Sequence, residues 1–434
     1  MGESINGFVV YPTYRIIDNK AYVYLFGRLE NGQSFLTINY FRPYFFICRD
    51  DLSKALKLQN FEYEDTDFKN FQGDAMVKVI LDVPTQVKPL RELFESKKIR
   101  SYEADIRFVV RFLIDHGIRG RLSVSGEYKK GDIVNRIYEN PGLKPAPDDY
   151  LPTLKTLSFD IETDLEGKQL FCISAYTGDE AETWIITKEK LKRAVSCPDE
   201  KSLIEQFFSW IREKDPDVIV GWNVIDFDLS VIRERAKMAK IPFVFGRPDW
   251  ECKLRVEESF FIDSKADVPG RMVLDGIHLL KSSFVKMEDY KLNTAAKKFL
   301  GKEKLIVGEN RHEEIQELYK NNQQKLVDYN LLDAKLAYDI VMTSETLSLT
   351  IQRSLLTGMS LDRVTASVAS LDFVYLSEAR SRKIVTTSSG HGEREERIKG
   401  GLNGITDGIG FNGAFGNIVT GTESVYNQVR AGCD

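Results

Sequence analysis

Histidine is scarce, at 4 of 434 residues, and the 5 cysteines (Cys48, Cys172, Cys197, Cys252 and Cys433) are scattered with no Cys-x-x-Cys pair. These absences remove the usual ligand sets of structural zinc and fit a reducing compartment. No Ser-His-Asp or Cys-His arrangement stands out. The first residues, Met1 to Gly7, carry no basic stretch leading into an apolar one, and no apolar run approaches about 18 residues. Secretion and membrane insertion are therefore not expected. An excess of one charge is missing too: Lys plus Arg number 60 against 65 Asp plus Glu, a net charge of −5. Any attraction to nucleic acid must come from a local basic track.

Apolar and aromatic material is plentiful. Hydrophobic residues make up 42%, with 26 Phe and 18 Tyr, a composition that argues against disorder and for packed cores. A chain of 434 residues predicts two or three domains. Short apolar runs at Phe8–Tyr11, Ala21–Phe26 and Tyr44–Ile47, separated by turn residues, predict strands, and helical patterning enters near Val87–Glu95. The segment from Pro145 to Pro152 reads as a proline-marked boundary. From Lys155 the pattern becomes α/β. Strands are predicted at Leu157–Ile161, Phe171–Tyr176, Trp184–Thr187 and Asp217–Trp222, and helices around Leu203–Ile211, Leu326–Val341 and Leu361–Lys383. A charged run at His391–Lys399 precedes a glycine-rich end, residues 400–434, which reads as a solvated linker and tail.

Three groups of acids draw attention. Asp160-Ile161-Glu162 closes a predicted strand, and the two-residue period puts both carboxylates on one face with Leu157, Phe159 and Ile161 on the other. Adjacent acids repel, and a divalent cation with a taste for oxygen, Mg²⁺ or Mn²⁺, would relieve them. Taken alone the pair is more commonly a wet face. Asp228 follows an apolar strand and opens a helix, where an acid is ordinarily a cap or a dipole partner. Tyr329 and Asp333 stand four apart on a predicted helix and share a face, a pattern usually found on surfaces. The joint occurrence in this order is what points to chemistry.

That order resembles the 3′-to-5′ exonuclease region of family B DNA polymerases, which has the ribonuclease H-like fold. Asp160-Ile161-Glu162-Thr163 is similar to its first motif, Asn223 to Asp228 to its second, Asn-x-x-x-Phe-Asp, and Tyr329 to Asp333 to its third, Tyr-x-x-x-Asp. Further text, including Tyr102-Glu103-Ala104-Asp105, Pro216 to Asn223, Gly270 to Gly276 and Leu361-Asp362-Arg363, resembles the polymerase II branch of that family over roughly residues 7–401.

The resemblance implies an α/β and α+β multidomain chain. Its parts would be a β-rich N-terminal domain (1–152), a ribonuclease H-like 3′–5′ exonuclease domain (153–345), a helical segment leading toward a polymerase palm (346–400) and a divergent Gly-rich tail (401–434). It implies two Mg²⁺ or Mn²⁺ ions, with Asp160 between them, Glu162 and Asp333 holding the first and Asp228 supporting the second through water. Glu162 and Tyr329 would orient the attacking water, and Asn223 and Phe227 would position the terminal nucleotide. Asp226, alternating away from Asp228, reads as solvent-facing or a cap, and the Arg380 to Lys383 run as a solvated face or a phosphate track. The implied substrate is DNA, at single-stranded 3′ ends or a primer-template, in a cytoplasmic, nucleoid-associated setting. A separate palm chain or a sliding clamp is an implied partner. A silent DNA- or palm-binding module and a free-standing 3′–5′ exonuclease are the competing readings. The palm motif Asp-x-x-Ser-Leu-Tyr-Pro does not occur, so primer extension by this chain is not expected.

Overall fold

The computed structural model describes residues 4–257, 264–302 and 311–388. The Gly-rich segment 401–434, the charged run before it and the end of segment 346–400 lie outside the described residues.

The first apolar runs form strands as their alternation predicts. Ile5–Ile17, Lys20–Leu29 and Ser34–Tyr40 make an antiparallel meander at the centre of a seven-stranded sheet. On one side the sheet continues through Arg121–Ser125 and Gly142–Lys144, and on the other through Arg136–Glu139, parallel to Ser34–Tyr40, and Lys129–Lys130. A second sheet of four strands runs in the order Glu62–Lys69, Ala75–Ile80, Tyr44–Cys48, Ser101–Tyr102. Phe45, Ile47, Val77 and Val79 on this sheet pack against Leu90 and Phe94 of the helix Val87–Ser96, which buries the latter's apolar stripe.

The third sheet positions the acids. Its six strands are ordered Val195–Cys197, Ala181–Ile186, Leu170–Tyr176, Thr156–Thr163, Val218–Gly221, Met272–Asp275. The first four strands in chain order include an antiparallel meander, Thr156–Thr163 to Leu170–Tyr176 to Ala181–Ile186, while Val218–Gly221 lies parallel to Thr156–Thr163 and Met272–Asp275 parallel to it in turn. Leu157, Phe159 and Ile161 share one hydrophobic cluster with Leu203, Phe207 and Ile211 of helix Glu200–Lys214 and Ile232 of helix Leu229–Met238. The long helix Gln323–Thr343 covers the opposite face. Both faces of the acidic strand are therefore covered, with Asp160 alone left partly exposed, unlike the wet face its polar residues suggest.

Two elements differ from their sequence patterns. The helical stretch expected over Leu361–Lys383 is a short 3₁₀ turn, Leu361–Arg363, followed by a separate helix, Ser367–Ser381. The chain then returns to the N-terminal part: Ile384 bridges to Lys69 and Thr387 to Tyr102, and the Thr386 amide donates to Glu103 Oε1 at 2.9 Å. Among the described residues no helix is long and apolar enough to cross a membrane.

Candidate active site

Helix Gln323–Thr343 is seated on the acidic strand by two polar contacts. Ser158 Oγ donates to the Ala334 carbonyl at 2.7 Å, and Asn330 Nδ2 donates to Asp160 Oδ2 at 2.8 Å. Ser158, Asp160 and Glu162 alternate onto this face as the pleat requires. Asp333, one turn beyond Asn330 on the helix, comes down beside them. Asp160, Glu162 and Asp333 each offer a carboxylate oxygen, and these atoms all lie within 4.8 Å of one another. Glu162 is 4% exposed and Asp333 fully buried, while Asp160 is half-buried and forms the open side of the cluster.

Asp228 arrives by a tight route. At Gly221 a Cβ would stand 2.7 Å from the Val224 side chain and 3.0 Å from the Phe159 carbonyl, so glycine lets the loop lie against the acidic strand. Asn223 then takes a left-handed conformation, φ 62°, and Val224–Asp228 form a π-helical turn ahead of helix Leu229–Met238. Asp228 precedes that helix yet makes no capping hydrogen bond. Its Oδ1 instead accepts from the Ile161 amide at 3.1 Å. The cap expected of an acid at this place is thus replaced by a bond to the acidic strand. Asp228 sits beside Asp160 but outside the three acids whose oxygens meet.

The electrostatics match that crowding. Burial, then the charge of Asp160, pushes the Asp228 carboxyl well above the usual carboxylate range. Asp275, at the end of the neighbouring strand, is also buried and adds to the load on Asp228. Its own carboxyl is raised by burial, against which His278 and the amides it accepts from, including Ile277 at 2.8 Å, act to lower it.

Tyr329 is fully buried among Phe171, Cys172, Ile185 and Leu326, so its ring is set in packing and not in an open cleft. Phe227 is 41% exposed, and Asn223 and Asp226 are exposed beside it on the same turn. The Arg380 to Lys383 run is engaged within the chain: Arg380 pairs with Asp115 at 3.2 Å, Arg382 with Glu378 at 2.7 Å and Lys383 with Asp67. That favours the solvated, structural reading of this run over a phosphate track.

Two residues of the site were not singled out in the sequence. Asn330 carries a signal in hindsight, as an amide three residues before Asp333 on the helix's inward face. Asp275 carries none, because its approach to Asp228 depends on how strand Met272–Asp275 joins the sheet. Chemically, three clustered carboxylates form an all-oxygen donor set, mostly buried, with repulsion that a divalent cation would relieve. The residues present fit such an ion.

Comparison with known proteins adds an independent line. Residues 99–295 match the family model described as DNA polymerase family B, exonuclease domain, a stretch that holds Asp160, Glu162 and Asp228 and stops before Tyr329. DNA polymerase II of Escherichia coli is 29% identical over 387 residues, covering 85% of this chain and 48% of the relative. The DNA polymerase of Archaeoglobus fulgidus is 27% identical over 404 residues, covering 87% of this chain and 48% of the relative. The solved structure of the family B DNA polymerase from the archaeon Pyrobaculum calidifontis superposes with a TM-score of 0.72 at 23% identity, over 90% of this chain and 52% of that one. The chain spans about half the length of these relatives.

Proposed function

We propose, for a chain that carries a DNA polymerase family B exonuclease domain over residues 99–295, that the carboxylate cluster hydrolyses 3′-terminal phosphodiesters of DNA and releases nucleoside monophosphates. The observation that carries this reading is the meeting of Asp160, Glu162 and Asp333 oxygens within 4.8 Å. Asp160, Glu162 and Asp333 would hold a first Mg²⁺ or Mn²⁺ ion, and Asp160 with Asp228 a second. When bound, such ions supply a water of lowered pKa and stabilise charge on the leaving oxygen.

The chain's own residues do the rest. Glu162 and Tyr329 orient the attacking water, and burial of both excludes competing solvent. Phe227, exposed on its turn, offers a ring face for the terminal base, with Asn223 beside it. A single strand reaches such a rim more readily than a duplex, so frayed or single-stranded 3′ ends are the preferred substrate. DNA is accordingly the partner, in the nucleoid-associated cytoplasm, with a polymerase palm or sliding clamp as further partners.

The test is digestion of a 5′-labelled single-stranded oligonucleotide by the purified chain with Mg²⁺, with EDTA, and after Asp160→Asn. We expect stepwise loss from the 3′ end, abolished by EDTA and reduced roughly 100-fold or more by the substitution. Equal digestion in EDTA, or by the Asp160 variant, would refute the proposal.

A further inference from the structure

We infer that Asn330 is a positioning residue for Asp160: its side-chain amide fixes the Asp160 carboxylate in the orientation that a divalent cation requires. This rests on reading the cluster as a cation site. Asn330 is fully buried, and its Nδ2 lies 2.8 Å from Asp160 Oδ2. The chemistry assigns the amide's orientation. Flipped, it would set a carbonyl oxygen against a carboxylate, whereas as placed it donates to a negative acceptor, the stronger kind of hydrogen bond.

What separates this from a packing role is the other half of the amide. Asn330 Oδ1 is buried with no hydrogen-bond partner among the described residues. A buried unsatisfied oxygen is a standing cost to the fold, and asparagine is also a poor residue for a helix interior. Leu326, Val327, Leu331 and Ala334 show the apolar residues this helix buries around Asn330, and Asp160 supplies the contact that accounts for an amide here. Groups that hydrogen-bond to a metal ligand hold its rotamer and tune its basicity, and removing one typically weakens metal binding 10–100-fold. The helix that delivers Asp333 thus delivers, on the turn before, the group that holds Asp160.

The experiment measures Mn²⁺ binding by the full chain without DNA, from the electron paramagnetic resonance signal of free Mn²⁺, together with thermal unfolding in EDTA. The variants are Asn330→Leu, which replaces the amide with an apolar group of similar size, and Asn330→Ala, with Asp160→Asn as the control. We expect Mn²⁺ affinity to fall roughly 10–100-fold in both Asn330 variants, while Asn330→Leu melts close to the wild-type temperature because removal of the orphaned oxygen offsets loss of the bond to Asp160. A residue needed only for packing would give the reverse: a lower melting temperature and unchanged affinity. Affinity within twofold of wild type in either folded variant overturns the inference, and if Asn330→Leu does not fold, Asn330→Ala decides. Wild-type protein that binds no Mn²⁺, or Asp160→Asn that binds as wild type does, overturns the cation-site reading itself and this inference with it.

Discussion

Tyr329 and Asp333 occupy one stripe of one helix but meet different surroundings. Asp333 joins two other carboxylates, whereas the Tyr329 ring is packed among Phe171, Cys172 and Ile185. A ring so confined can hold its hydroxyl in one place without spending side-chain entropy at each turnover. Tyr329→Phe keeps the ring and removes only the hydroxyl. It should leave Mn²⁺ affinity unchanged and slow exonuclease turnover up to roughly 100-fold, the cost of a misplaced reactant. Single-turnover digestion beside a binding titration checks this, and an unchanged rate would remove Tyr329 from the mechanism.

At the scale of the element, the turn Asn223–Asp228 shows how backbone conformation delivers a side chain. Asn223 holds φ 62° and ψ 28°, a region that costs an ordinary L-residue about 1–2 kcal/mol and that asparagine visits more readily. With that kink and the π-helical turn, Asp228 faces the Ile161 amide and forgoes a capping position. Asn223 is exposed, so little packing is at stake. Asn223→Gly should therefore match wild type in urea unfolding, and Asn223→Val should lose about 1–2 kcal/mol. Equal midpoints for the two variants would show that the left-handed conformation is not maintained. Loss of digestion by a stable Asn223→Gly would locate the residue's function in its side chain.

Across the whole molecule, the N-terminal sheet and the acidic sheet are joined by buried charge. Arg28, from strand Lys20–Leu29, bonds Asp217 at 2.8 Å and Asp215 at 3.2 Å. Arg247 bonds the same two acids at 2.6 and 2.8 Å, and Arg271 bonds Asp215 at 3.0 Å. Asp217 also accepts from the Lys155 amide at 2.9 Å, just before the acidic strand, and itself precedes strand Val218–Gly221. One carboxylate thus sets the entry of two adjacent strands. Trp250 adds an aromatic contact, against Tyr24, Phe26 and Arg15 of the N-terminal sheet.

Burial disfavours ionised Asp215, but Arg247 and Arg271 outweigh it and hold the carboxyl at about 2, below its usual 3.8. An acid depressed in the folded state stabilises the fold above its unfolded pKa, and that contribution is lost as pH falls through the folded value. Here the window runs from 3.8 down to about 2. Asp215→Asn should cost roughly 2–3 kcal/mol at pH 7, with the difference from wild type closing across that window. Urea unfolding of both forms at neutral and acidic pH measures it. A pH-independent difference would mean that ion pairing is not the source.

The alternation Leu157, Phe159, Ile161 against Ser158, Asp160, Glu162 was legible in the sequence because the strand period is a local property of the pleat. The helical spacing of Tyr329 and Asp333 was legible for the same reason. Local periodicity says which side chains share a face and nothing about what lies opposite. That the acidic face is buried under Gln323–Thr343, that Asn330 and not only Asp333 reaches the acidic strand, and that Asp275 crowds Asp228 depend on contacts between residues far apart in the chain. So does the fate of Arg380, Arg382 and Lys383. As text they are a basic run, yet two of their three acidic partners, Asp115 and Asp67, lie in the N-terminal part of the chain. Order and spacing of the acids were determined by sequence alone, while the distances between carboxylates, and hence the charge a cation would neutralise, were decided by tertiary packing, because Coulomb energy depends on separation and burial.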